Sequence, residues 1–147
     1  MATGTVYTGM SVTINDKVYG VNAARTESLT GVTKAFESGT ITCADGVGAV
    51  LINVHATTKG SNYFVTLKAI QITNHETSGS PAIIGLVSAT TAVYVSVPFG
   101  QTITLTDGQS LGYATAAVFV SPLLASVTIT GEGNGATADL SIVAFGT

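Results

Sequence analysis

The sequence has little charge, and that charge is unevenly placed. Only 9% of the 147 residues are charged, against roughly 25% in an ordinary soluble domain. No lysine or arginine follows Lys68, and the only charged residues from 77 to 147 are Asp107, Glu132 and Asp139. With five basic residues and a net charge of −3, the chain has few groups to neutralise phosphates. We therefore expect no nucleic-acid partner and no binding to an anionic membrane surface.

Disulfides and long apolar runs are also missing. Cys43 is the only cysteine, which excludes an internal disulfide, so stability must come from packing or oligomerisation. Residues 40–44 read as a strand, and we interpret Cys43 as a small buried side chain rather than a catalytic thiol. No apolar run approaches the ~20 residues of a membrane helix. The first residues lack the basic and apolar regions of a secretory signal.

Catalytic groups are equally scarce. The two histidines are His55, on the polar face of a predicted strand, and His75, in a predicted loop beside Glu76. No carboxylate stands at metal-ligand spacing from either histidine, and the histidine cluster of a cupin-type jelly roll is absent. We expect no enzyme, no metal and no cofactor. Loss of an activity on changing both histidines would reverse that expectation.

What the chain does contain is β pattern. From residue 38 onward, apolar residues alternate in about nine short segments, spaced roughly ten residues apart and separated by Gly, Pro, Asn or Asp. The segments are 39–44, 48–57, 63–74, 82–89, 93–97, 102–106, 111–120, 126–130 and 137–145. No convincing helix is visible. The pattern predicts an all-β chain that folds as an antiparallel, jelly-roll-like β-sandwich.

Three of these segments carry finer predictions. In 48–57, Val50, Ile52 and Val54 share one face, and Asn53 and His55 the other. In 63–74 the apolar parity switches near Ala69, which indicates a β-bulge or a strand that changes sheets. The glycine-dense stretch 131–135 is interpreted as a flexible hairpin loop, because no helix or Lys-Ser/Thr pair follows to make a phosphate loop.

The N-terminal region differs in character. Residues 1–36 hold five of the thirteen charged residues, and their apolar residues are scattered. We expect a hairpin with strands 11–14 and 17–21 around the turn-prone pair 15–16. We divide the chain into an N-terminal arm or hairpin, 1–36, and a β-sandwich domain, 37–147. The first part either packs on a neighbouring subunit or adds strands to the same domain. The residues expected to contact a capsid or subunit are Val6, Tyr7, Met10 and Tyr19.

Uncharged β surface invites edge-to-edge pairing unless something covers it. We therefore interpret the missing charge as a sign that much of this surface lies against other subunits, because interface cores are depleted of charge. This favours a structural assembly protein.

Two stretches carry a resemblance to a known family. Residues 95–105, VSVPFGQTITL, form a turn of the type V-P-x-G-x-x-I-x-L, and residues 125–131 and 138–146 close the chain with short Ala/Ser/Thr/Val strands. This style resembles the small jelly-roll head decoration, or cement, proteins of tailed bacteriophages. The resemblance implies a homotrimer on the capsid exterior that clamps neighbouring major capsid proteins, in a virion assembled in the host cytoplasm. It transfers no functional residues.

Two other functions stay open. One is a different virion component, such as a tail tube, which forms hexameric rings, a baseplate protein or a head fibre. The other is a glycan-binding β-sandwich, which predicts Tyr63, Tyr94 or Tyr113 exposed in one cleft.

Overall fold

The fold is described from a computed structural model. It describes the backbone of residues 2–8, 11–14, 17–20, 25–54, 60–79, 81–88, 92–106, 113–115, 118–120 and 128–147. Side chains are described for 31–54, 60–79, 81–88, 92–106 and 128–147.

Every regular element in the described ranges is a β-strand. In chain order the strands are β1 Ala2–Thr8, β2 Ser11–Ile14, β3 Lys17–Gly20, β4 Arg25–Val32, β5 Lys34–Glu37, β6 Ile41–Cys43, β7 Ala49–Val54, β8 Tyr63–Phe64, β9 Leu67–Asn74, β10 Ala82–Val87, β11 Ala92–Val97, β12 Thr102–Thr106, β13 Tyr113–Thr115, β14 Val118–Val120, β15 Thr128–Glu132 and β16 Ala138–Gly146.

Two sheets pack face to face and confirm the predicted β-sandwich. The first sheet has the order β11-β10-β15-β7-β8. The second has the order β12-β9-β16-β5, and β6 also pairs with β16. All pairings in the two sheets are antiparallel except the short parallel pair of β7 and β8.

The core lies between the sheets and follows the alternation in the sequence. In β16 every second residue is buried, as predicted for Ala138, Leu140, Ile142 and Ala144. Burial of such a face is the main favourable term in folding, at about 1.5–3 kcal/mol for each fully buried large aliphatic side chain. The largest fully buried side chains are Phe64, Leu51, Ile52, Leu67, Ile70, Ile72, Ile84, Ile129, Leu140, Ile142, Val54 and Val97.

The predicted parity switch near Ala69 is confirmed. The segment 63–74 forms two strands rather than one long strand, and the chain passes from the first sheet in β8 to the second in β9. A register shift also occurs in β9, because Phe145 pairs with Ala69 while Gly146 pairs with Leu67. Ala69 is buried outside the main core, in a small cluster with Val32 and Phe145.

One face prediction is wrong because of a β-bulge in β7. Ile129 pairs with Ile52, but Thr130 pairs with Val50, so Leu51 is the extra residue. Both Leu51 and Ile52 are therefore buried, and Val50 lies on the opposite, exposed face. Residues 49–52 are all apolar, so apolar side chains are available to both faces of the strand, and the alternation of Val50, Ile52 and Val54 assigned Val50 to the wrong face.

A second correction concerns 111–120, which was predicted as one strand. The structure has two short strands here, β13 and β14, paired antiparallel with Tyr113 opposite Val120. Three alanines in the segment, 114, 116 and 117, weaken it as a single strand, because alanine is depleted in strands. With 63–74 also divided, the nine predicted strands become eleven, β6 to β16.

The glycine-dense segment is more ordered than a flexible loop. Gly131 and Glu132 belong to β15. Gly133 bridges to Asp45, and the Asp45 carboxylate accepts a hydrogen bond from the Gly135 amide at 2.7 Å. Gly46, in the turn between β6 and β7, has a positive φ of 63°, which favours glycine. The turn between β6 and β7 and the turn between β15 and β16 are therefore hydrogen-bonded to each other.

The N-terminal hairpin prediction is confirmed at the level of strand pairing. β2 pairs with β3, with Ile14 opposite Lys17. β1 pairs with β4 in a separate two-stranded sheet. The proposed boundary at residue 36 falls inside β5, whose residues 34–37 pair with β16. The division into an arm and a sandwich domain stays a prediction.

Candidate functional site

The residues with described side chains include one histidine, one cysteine and five carboxylates. They contain no group of three or more His, Cys, Asp or Glu side chains that could hold a metal ion. His75 is exposed, lies in the predicted loop, and its Nε2 is 2.7 Å from the Ser141 hydroxyl. The nearby Glu76 carboxylate accepts a hydrogen bond from the Asp139 amide at 3.2 Å. These two contacts join the loop after β9 to strand β16. His55 lies outside the described residues.

Cys43 is the small buried side chain that the sequence predicted. It is fully buried in β6. Burial raises the pKa of its thiol, and the Asp139 carboxylate raises it further. A thiol whose pKa is raised forms little of the reactive thiolate at neutral pH. Cys43 is therefore a packing residue of the core.

Hydrogen-bonded polar side chains cover the outer face of the second sheet beside the first half of β16, whereas Ala69 and Phe145 form an apolar part beside its last residues. The Thr73 and Thr102 hydroxyls are 2.8 Å apart, and the Gln71 amide donates to the Thr104 hydroxyl at 3.3 Å. The Thr42 hydroxyl donates to the Asp139 carboxylate at 2.6 Å. Because these polar groups already satisfy one another, the polar part of the face gains little from a protein partner.

The outer face of the first sheet is different, and we call it the uncharged face. Its central row crosses four strands through the register pairs Tyr94–Gly85, Gly85–Thr130 and Thr130–Val50. Tyr94 is 64% exposed and Val50 51% exposed. Among the described side chains, Glu132, at one end, is its only charged residue. The other members are Ala92, Val87, Thr128, Asn53 and Tyr63 in one flanking row, and Ser96 and Ile83 in the other.

The sandwich also has one open, uncharged side. Within the described chain, β11 is hydrogen-bonded to β10 alone and β12 to β9 alone. These two edge strands are consecutive and meet at the corner 98–101, where Phe99 is 45% exposed. Neither strand contains a charged residue. We call this the open side.

The opposite side is closed by Lys34. The edge strands there are β5, which carries Lys34 and Glu37, and the two-residue β8. The Lys34 ammonium donates a hydrogen bond to the Tyr63 carbonyl and lies 5.1 Å from the centre of the Phe64 ring. One lysine therefore joins an edge of the second sheet to an edge of the first. Charged and very short edge strands are common protection against unwanted pairing.

Side-chain charges are separated along the strands. Four of the five described carboxylates lie where β15 ends and β16 begins, a region that we call the loop end: Asp45, Glu76, Glu132 and Asp139. The described lysines, Lys34 and Lys68, lie at the other end, beside the last residues of β16. Among the described side chains, carboxylates therefore gather at the loop end and lysines at the other end, with Glu37 between them in β5.

The proposed arm contacts lie outside the described side chains. The backbones of Val6 and Tyr7 belong to β1 and that of Tyr19 to β3, while Met10 lies outside the described residues altogether. Their role in contacting a capsid or subunit stays a prediction.

The tyrosines of the glycan hypothesis are not all gathered in one cleft. Tyr63 and Tyr94 lie on β8 and β11, the two edge strands of the first sheet, with three strands between them. At ~4.8 Å per strand spacing, they are roughly 19 Å apart across the sheet. The side chain of Tyr113 lies outside the described residues.

Comparisons with protein-family models, with curated proteins and with solved structures found no match for this chain. In the described ranges, no helix is long and apolar enough to cross a membrane.

The sequence did not predict which face and which side of the sandwich are uncharged. The lack of charge after Lys68 indicated uncharged surface, but strand order decides which strands become edges. The sequence feature that comes nearest to indicating the open side is the run from 92 to 106, which contains no charge and has Pro98 between its two strands.

Proposed function

We propose that this chain is a non-enzymatic structural protein of a virus particle, a decoration protein that binds the outside of a capsid and stabilises contacts between major capsid proteins. The observation that carries the proposal is the uncharged face together with the open side. A surface whose one described charge is Glu132, on the opposite side of the sandwich from the paired polar groups, is suited to burial against protein. The resemblance seen in the sequence supports the same function.

The size of the uncharged face supports attachment to a repetitive lattice. Five strands at ~4.8 Å spacing and a strand length of about 17–20 Å give a flat area of about 400 Å². A stable complex usually needs about 800 Å² from each partner, so one such contact is weak. A subunit that engages several neighbouring shell proteins, or that acts as part of an oligomer, gains effective concentration and binds tightly.

Self-association is part of the proposal. The resemblance implies a trimer, in which two different surfaces of the chain meet at each contact. Another virion component, such as a tail tube, baseplate or head fibre, stays the alternative. The two differ in oligomer geometry, because tail tubes form six-membered rings. Light scattering on the purified 14.8 kDa chain measures the subunit number directly.

Co-sedimentation tests the attachment. Purified chain is mixed with heads prepared from a virus stock from which this gene has been deleted. We expect saturable binding, with a plateau set by the shell lattice, and heads that resist heating better. Intact heads that bind no chain at saturating concentration would refute the proposal.

A matched pair of variants identifies the face. Val50→Lys places a charge on the uncharged face, and we expect it to weaken head binding about tenfold or more, because a buried unpaired charge costs well over 1.4 kcal/mol. Val143→Lys makes the same change on the outer face of the second sheet, opposite Glu37, and should bind normally. Equal binding by both variants would show that another surface docks.

The N-terminal arm is tested separately. Deletion of residues 1–20 is expected to abolish attachment to the heads while the sandwich stays folded, as judged by its thermal transition. A truncated chain that still saturates the heads would show that the arm is not needed.

A further inference from the structure

Among the described strands, β11 is a sheet edge that pairs with β10 alone. It runs for six residues, Ala92–Val97, without a charge or a proline, and its register with β10 is regular throughout. Alternate residues of an edge strand present their N–H and C=O groups to the open side. Such an edge is a template for a further strand, and natural proteins usually block it with charge, a bulge or shortness. The other edge of the same sheet, β8, is blocked by shortness and by Lys34.

We propose that β11 pairs antiparallel with β11 of a second copy of this chain, about a two-fold axis perpendicular to the sheet. The two first sheets then become one continuous ten-stranded sheet. This contact deepens the proposed self-association and does not depend on attachment to a shell. In a three-fold assembly it would join one trimer to the next.

The alternation of β11 determines the register. Paired residues must share a face, so the two-fold axis passes through a residue pair and not between residues. With Tyr94 opposite its own copy, the rings of the most exposed large side chains meet on the uncharged face, and aromatic cross-strand pairs are favourable. On the inner face Val93 lies opposite Val95, and both already pack against the core. Ala92 then lies opposite Ser96, so small side chains meet.

Charge favours a second copy as the occupant. The antiparallel pairing places the described carboxylates at the loop end of one copy beside the end of the other copy that carries Lys34 and Lys68, and does so twice. Glu76 packs near the open-side corner, where its carbonyl oxygen is 3.9 Å from a Cβ built on Gly100, and Lys68 lies in β9, next to the edge strand β12. A side-by-side parallel arrangement would instead place four carboxylates against four. These charges are screened beyond ~8 Å at physiological salt, so they orient the pair more than they hold it.

The alternative of a ring in which the open side meets the closed side of the next copy is less favourable. It would bury Lys34 and Glu37 against an uncharged edge, and burial of charge without new partners is costly. In the two-fold pair only uncharged strands meet.

Disulfide trapping tests both the contact and its register. Three single variants, Ala92→Cys, Tyr94→Cys and Ser96→Cys, are equilibrated in a glutathione redox buffer, and covalent dimer is measured on non-reducing gels. Opposed residues of an antiparallel pair have Cα atoms ~4.5–5.5 Å apart, within the ~4.4–6.8 Å of a disulfide. Residue 92 and its own copy would be roughly 14 Å apart, four residues along the strand. We expect Tyr94→Cys to give about tenfold more covalent dimer than either other single variant.

A mixture provides the decisive control. Ala92→Cys and Ser96→Cys mixed in equal amounts should form a mixed dimer that neither forms alone, because these positions face each other in the proposed register. The wild-type chain, whose one thiol is the buried Cys43, should give none. Equal trapping at all three positions, or none at position 94, would overturn the proposal.

A non-covalent variant gives a second readout. Ser96→Lys adds a charge to the exposed face of the edge strand, and Thr40→Lys adds one at an exposed site in the second sheet's β5–β6 connection. By sedimentation velocity, Ser96→Lys is expected to remove the concentration-dependent dimer and Thr40→Lys to keep it, with both melting like the wild type. A dimer that persists in Ser96→Lys would contradict the β11 pairing.

Discussion

Gly131 leaves room for side chains from both sheets, and its replacement by alanine tests how tightly they pack. Gly131 lies in β15, on the inner face of the first sheet. A Cβ built at this position would lie 2.8 Å from Leu140 Cδ1, 2.8 Å from Leu51 Cδ1 and 3.4 Å from Cys43 Sγ. Leu140 and Cys43 belong to the second sheet, so at Gly131 side chains of the second sheet pack directly against the backbone of the first.

The cost of Gly131→Ala follows from what the new methyl group meets. Both close contacts are leucine side-chain ends, which can shift, so the backbone need not move. Overpacking of this kind costs ~1–3 kcal/mol, and the lower entropy of alanine in the unfolded chain offsets ~0.4–1 kcal/mol. We expect a net loss of ~1–2 kcal/mol, or about 2–8 °C in Tm for a domain of this size.

Two other glycines calibrate the result. At Gly39 a Cβ meets nothing within 4 Å, so Gly39→Ala should be neutral or slightly stabilising. At Gly146 a Cβ would lie 2.1 Å from the Thr66 carbonyl oxygen, where only a backbone shift can relieve the clash, so Gly146→Ala should cost more than Gly131→Ala. Thermal and urea unfolding followed by circular dichroism measures all three. If Gly131→Ala unfolds like Gly39→Ala, the sheets are not packed as described.

Three further predictions concern single side chains. Asn74→Leu should cost about 1–3 kcal/mol in urea unfolding, because Asn74 is buried and its amide donates to the Val97 carbonyl at 3.0 Å, which would be left unpaired; a midpoint unchanged from the wild type would contradict this. Cys43 should react with a thiol reagent only after unfolding. The pKa of the Cys43 thiol in the folded chain is raised above the ordinary 9.0. The free energy that this raised pKa contributes to folding should therefore be constant below that pH and be lost as the pH rises through the folded pKa. A Cys43→Ala variant should lack this alkaline loss, and rapid labelling of Cys43 in the folded chain would refute its burial. Lys34→Met should keep the packing on Phe64 but lose the hydrogen bond to Tyr63, lowering stability by about 0.5–1.5 kcal/mol and increasing hydrogen exchange at β8, whereas Lys34→Arg should exchange like the wild type.

The sequence predicted the parts of the fold that local alternation determines. The buried parity of β16 and the end of β11 at Pro98 both follow from residues close together in the chain. The sheet change near Ala69 was visible because apolar residues occupy both parities there. The structure shows why: Ile70 and Ile72 face the main core, while Ala69 is covered by Val32 and Phe145 on the other side.

The parts that the sequence did not predict depend on partners distant in the chain. The apolar run 49–52 places apolar residues on both parities, but the position of the extra residue, Leu51, is fixed only by the pairing of β7 with β15. The bridge from Lys34 to Tyr63 joins residues that are separated by 29 positions. Strand order likewise determined that β11 and β12 became edges on the same side. The uncharged surface could therefore be predicted, but its location could not.

The two sides of the sandwich differ in a way that stability alone does not require. Lys34 and a two-residue strand protect the closed side, so this chain has the usual means of blocking a sheet edge. The open side lacks these means on both of its strands, although a single lysine at an exposed position such as Ser96 would cost the isolated fold little, since surface substitutions away from packed or paired groups usually change stability by no more than ~0.5 kcal/mol. An edge left open in both sheets, beside an outer face that also carries almost no charge, is what a chain needs if a neighbouring strand is to complete it. The yield of covalent Tyr94→Cys dimer tests directly, in the absence of capsids, whether a second copy of β11 pairs with that edge.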